Sequence, residues 1–87
     1  MTTGAKAVDV ELTPDELVAL LAGVRPDSTL VPRLVEAGRV RRQHPLDGIR
    51  FWFTGTEAET YALLDLAATR APSAVSRIKR GLLLAQA

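Results

Sequence analysis

A stretch of period two that runs straight into a helix start constrains this chain more than any other feature. Val8, Val10 and Leu12 alternate with Asp9 and Glu11. Successive strand residues point to opposite faces, so the spacing predicts a half-buried strand over Ala7–Leu12. Thr13-Pro14-Asp15-Glu16 follows with no loop between. Thr13 can accept from the backbone of Glu16, Glu16 can return the bond, and Pro14 suits the first helical position, where no N–H is needed. A similar junction recurs where Phe51 and Phe53 precede Thr54-Gly55-Thr56-Glu57 and Thr56-Glu57-Ala58-Glu59, two overlapping helix starts. A duplication would make a pseudo-symmetric domain; two unrelated junctions using common capping chemistry explain the echo more simply.

Between and after these junctions the pattern predicts four helices and a hairpin. Leu17, Val18, Leu20 and Leu21 supply a buried stripe to the first helix, with Gly23 as its C-cap. Arg25-Pro26-Asp27-Ser28 is a turn offering an N-cap at Asp27 or Ser28. The second helix ends at Gly38. Pro32 either sits in its first turn, with a start near Val31, or kinks it, and the later start is preferred. Arg39–Gln43 and Ile49–Thr54 flank His44-Pro45-Leu46-Asp47-Gly48, a hairpin signal. Ile49, Phe51 and Phe53 should enter the core, opposite Arg50, Trp52 and Thr54. A third helix carries Tyr61, Leu63, Leu64, Leu66, Ala67 and Ala68 to about Arg70, and Ala71-Pro72-Ser73 breaks it. The last helix, from Ser73 to about Ala85, buries Val75, Ile78, Leu82 and Ala85, with Gly81 weakening its middle. The expected fold is a single small α+β domain over residues 7–87, strand–helix–helix–hairpin–helix–helix, behind a disordered segment 1–6.

Composition narrows the function. Of 87 residues, 47% are apolar, enough for one core, and none is cysteine, which excludes disulfides and thiolate metal sites. The single His44 cannot build a zinc site alone. No apolar run approaches membrane-spanning length and no leader is visible, so no membrane partner is expected and the cytoplasm is the expected compartment. Catalytic constellations are absent too. Asp15-Glu16 and Glu57/Glu59 fall in first helical turns, where they complement the helix dipole. The expectation is a binding module, not an enzyme, with no cofactor, no metal and no small-molecule substrate.

Charge is blocked along the chain. Residues 1–31 carry five acids against two bases, and 32–50 carry five arginines against two acids. Residues 51–69 then hold three acids and no base, and 70–87 four bases and no acid. The blocks imply one basic and one acidic surface if the basic ones converge in space. Within this pattern, Asp15–Val24 and Leu34–Arg42, followed by the Asp47-Gly48 hairpin and its exit Phe53-Thr54, resemble a winged helix-turn-helix domain without its first helix. The resemblance covers about half the chain. It implies DNA binding, with Ser28, Thr29 and Arg33 on a recognition helix and Arg39, Arg41, Arg42, His44 and Arg50 along the wing. Residues 64–82 are similar to a second helix-turn-helix, which would add Ser73, Ser76, Arg77 and Arg80 to the DNA-facing set. Three features depart from the pattern: Pro32 within the recognition helix, the long turn from Gly23 to Ser28, and Asp27 facing phosphate.

A second function class stays open. Trp52 lies on the strand face opposite Phe51 and Phe53. Exposed, it would anchor a protein partner or stack on a base; alternatively the last helix covers it. Together with Leu83 and Leu84 it defines a candidate surface for a homodimer or another protein.

Overall fold

The computed structural model describes residues 7–46 and 48–86, so the expectations for 1–6 and for Asp47 lie outside it. The order is β1 (Val8–Leu12), α1 (Pro14–Gly23), α2 (Leu30–Ala37), β2 (Arg41–His44), β3 (Gly48–Gly55), α3 (Glu57–Arg70) and α4 (Val75–Gln86), with a 3₁₀ turn at Pro72–Ala74. This is an α+β fold.

Both strand-to-helix junctions close on reciprocal caps. The Thr13 N–H donates to Glu16 Oε1 at 2.8 Å and the Glu16 N–H to Thr13 Oγ1 at 3.2 Å. Thr56 and Glu59 repeat the exchange at 2.8 and 3.1 Å, so of the two overlapping starts the second is used. Such caps contribute about 1 kcal/mol each by satisfying N–H groups the helix cannot.

The three strands are antiparallel in the order β1–β3–β2. Val10 pairs with Phe53, Glu11 with Trp52, and Arg42 with Arg50. Alternation puts Val8, Val10, Leu12 and Phe53 on one face, and there they join Leu17, Leu20, Leu30, Leu34, Leu63, Ala67, Ile78 and Leu82 in one buried cluster. The helices therefore form a single layer over that face. Asp9, Glu11, Arg42, Arg50, Trp52 and Thr54 share the other.

Several expectations change. Val18 and Leu21 are 66% and 38% exposed, because the helical period turns Leu17 and Leu20 inward and carries Glu16 with them. Gly23 is the last helical residue, and the cap is Val24, whose extended backbone needs no glycine. α2 begins at Leu30, one residue before the expected start, so Ser28 and Thr29 precede it. Pro32 is its third residue, where the missing N–H has no helical acceptor to lose. β2 starts at Arg41, because the Arg39 and Val40 N–H groups still donate to Glu36 and Ala37 at the end of α2. At the hairpin, Gly48 has φ +92°, a left-handed conformation that favours glycine.

Gly81 does more than weaken a helix. A Cβ there would lie 3.0 Å from the Asp9 carbonyl oxygen and 3.3 Å from Val8 Cγ1, so the glycine lets α4 lie directly on β1. From the same helix, Arg77 donates to the Glu11 carbonyl at 2.8 Å. That contact caps one sheet edge, while the other, β2, stays exposed. Because α4 packs on the Val8/Val10 face, it does not cover Trp52, which is half-buried on the opposite face.

Candidate nucleic-acid interface

The β2–β3 hairpin gathers Arg39, Arg41, Arg42 and Arg50. Arg41 and Arg42 are exposed and, as successive strand residues, point to opposite faces of the ribbon. Arg42 shares its face with Arg50, its direct partner, and with Trp52. Its guanidinium carbon lies 5.5 Å from the Trp52 ring centroid, a cation–π distance. Trp52 is thus roofed by an arginine. Arg50 donates through Nη1 to the Ile49 carbonyl at 3.3 Å. Arg39 lies 3.9 Å from Glu36, both well exposed, a pairing of little energetic weight. At the tip, the Leu46 N–H donates to His44 Nδ1 at 3.2 Å and the Leu46 side chain is 89% exposed. Among the described residues no carboxylate pairs with Arg41 or Arg42.

Two arginines elsewhere, Arg77 and Arg33, are taken up by the fold. Glu16, buried at the start of α1, receives the Arg77 guanidinium and, at 2.6 Å, the Ser73 hydroxyl. Arg77 also donates to the Ser73 carbonyl at 3.2 Å. Burial opposes ionisation of Glu16, yet the hydrogen bonds from Arg77, Ser73 and the Thr13 N–H outweigh it and hold the carboxyl below its ordinary value of 4.5. Arg33 reaches from α2 to Glu59, its Nε 3.1 Å from both carboxylate oxygens. The Glu59 carboxyl is also lowered, chiefly by the Thr56 N–H; burial opposes the shift, and the hydrogen bond from Arg33 adds to the lowering.

The sequence-predicted set is therefore divided. Arg39, Arg41, Arg42 and Arg50 come together with His44 on the hairpin. Ser28 is spent on the backbone, its Oγ accepting from the Leu30 N–H at 3.1 Å, and Thr29 is exposed before α2. Arg33 is turned to Glu59. Ser73 and Arg77 lie by β1, at the sheet edge away from β2, and Arg80 is exposed on α4. Arg77 does not converge with the hairpin arginines, which lie at the opposite edge of the sheet. Nor does Trp52 share a surface with Leu83 and Leu84, each 69% exposed on α4.

Sequence reasoning missed the second role of the capping glutamates. Glu16 and Glu59 complement their helix starts as expected, but each also binds an arginine, 61 and 26 residues away. No local signal marks such pairs. Among the described residues no three His, Asp or Glu cluster to hold a metal, and no helix is long and apolar enough to cross a membrane. In comparisons with known proteins the chain matches no family model, no curated protein and no solved structure.

Proposed function

We propose that this domain binds duplex DNA through the β2–β3 hairpin, with α2 supporting the hairpin instead of reading bases. The observation that carries the reading is the contrast among arginines: Arg33 and Arg77 are held by carboxylates, whereas Arg41 and Arg42 project from the ribbon with none. A two-stranded ribbon fits the DNA major groove, and arginines on its two faces can meet phosphates on both walls. The order of elements supports the same reading, since a helix pair leading into a hairpin whose second strand pairs with β1 is the arrangement a winged helix requires. The exposed surface of α2 gives less. It offers Pro32, Val35 and Glu36 beside the engaged Arg33, and the helix is only eight residues long.

Fluorescence anisotropy with a mixed-sequence duplex across a salt series tests this. Binding should weaken steeply as salt rises, by release of counterions from the DNA. Arg41→Ala and Arg42→Ala should each reduce the slope of log affinity against log salt by about 1, while Arg33→Ala should leave it unchanged. Absence of binding at low salt, or slopes indifferent to both hairpin arginines, would remove the reading.

A further inference from the structure

A separate surface lies on the helical layer. α3 and α4 form an antiparallel pair, and a groove between them is lined by Tyr61, Leu64, Ala68, Val75, Lys79 and Leu83. Tyr61 and Leu83 stand at one end, 50% and 69% exposed. Asp65 also borders the groove, level with Lys79 near its middle. Among the described residues neither Asp65 nor Lys79 has an ion pair within the chain.

The charges on the two walls differ in kind. Of the acids on α3, Asp65 borders the groove, while Glu59 is turned to Arg33 on α2. Of the bases on α4, Lys79 borders it, while Arg77 is turned to Glu16 and the Glu11 carbonyl at the edge of β1. A surface with one acid on one wall, one base on the other and an apolar floor is complementary to itself.

We infer that the groove is the interface of a homodimer, formed about a two-fold axis running along it. Charge selects this axis. An axis along the groove lays α3 of one copy over α4 of the other, bringing each Asp65 to Lys79 of the second copy and each Tyr61 to Leu83. An axis across the groove would instead lay α3 on α3 and α4 on α4, setting like charges together. Isologous contacts of the first kind bury the same patch on both copies. They also cover exposed apolar side chains in a chain short enough to gain from a partner. The inference is independent of DNA binding, because the hairpin arginines take no part in it.

Sedimentation equilibrium over a concentration series tests it. The unaltered protein should dimerise, and Asp65→Lys or Lys79→Asp should each weaken the dimer by about tenfold or more. The double variant Asp65→Lys/Lys79→Asp should recover it, because the swap restores the cross-interface pair. If a charge reversal alters the circular dichroism spectrum, Leu83→Ser, at a solvent-facing position, reads the same surface and should weaken the dimer alone. A monomer at every concentration overturns the inference. So does a dimer indifferent to Leu83→Ser and the reversals, or a double variant that dissociates like the singles. Arg42→Ala should leave the dimer intact, so the two readings fail separately.

Discussion

Arg77 reaches from α4 to the edge of β1, where the Glu11 and Ser73 carbonyls and the Glu16 carboxylate take up its guanidinium. Arg42 occupies a strand at the far side of the same sheet and rests over the Trp52 ring. The side chains are identical, and their neighbourhoods assign them different work. Arg77 sits at a seam where the first helix, the first strand and the last helix meet, and it satisfies polar groups that burial would otherwise strand. Arg42 sits on a rim, where its charge stays available to an outside partner. The lesson concerns basic residues in small domains: their number says little until those engaged by the fold are set aside.

The largest expected effect breaks that comparison if it fails. Arg77→Met keeps most of the aliphatic stem but leaves the buried Glu16 carboxylate without its cation. Removing one partner of a buried pair costs about 3 kcal/mol. Arg42→Met loses only a cation–π contact at an accessible site, about 0.5–1 kcal/mol. Urea denaturation of both variants measures the difference. Equal losses would mean that Arg42 is also structural, and the hairpin would lose its claim to be a binding surface.

Acid sharpens the contrast. The folded pKa of Glu16 lies below its ordinary value of 4.5, so the native state favours the ionised carboxylate. The stabilisation is fully present above 4.5 and is lost as pH falls through the folded pKa, since the unfolded chain binds the proton more readily. Glu59, shifted in the same direction, adds to the loss over the same range. Denaturation midpoints should therefore fall on acidification below about pH 4.5, where unfolded carboxylates take up protons. Glu16→Gln should be less stable at neutral pH and flatter across that range. An unaltered slope in the variant would place the acid sensitivity elsewhere.

How far these features were legible in the sequence follows from their range along the chain. β1 and both capping boxes rest on periods and spacings of four residues or fewer, and both caps form as their residues suggest. The stripe of α1 was less legible. In Leu17-Val18-Ala19-Leu20-Leu21 every large residue is apolar, and composition alone does not say which of them turn inward. Glu16 came inward with Leu17 and Leu20 because α1 lies against the sheet and α3, an orientation set by the whole fold. The Glu16–Arg77 pair closes only after five further elements have been placed. Trp52 belongs to the same class. Its strand face was evident from alternation, but whether a helix covered that face depended on where α4 would pack, and the close approach of Gly81 to Val8 put α4 on the other side.

The smallest expected effect concerns the second ion pair. Arg33–Glu59 shares a single Nε–H between both carboxylate oxygens, and the Arg33 side chain is 48% exposed against 30% for Arg77. Water screens the charge that the Glu16 corner keeps, so geometry alone would overstate the pair. Arg33→Ala should cost about 0.5 kcal/mol, in the range of solvent-exposed pairs, and half a molar of added salt should shrink the difference further. Glu59→Gln should cost slightly more, because it also weakens the acceptor for the Thr56 N–H at the start of α3. A double-mutant cycle on the two positions isolates the pair itself. A coupling as large as the Arg77→Met loss would show that burial, which separates the two arginines here, is not what decides their weight.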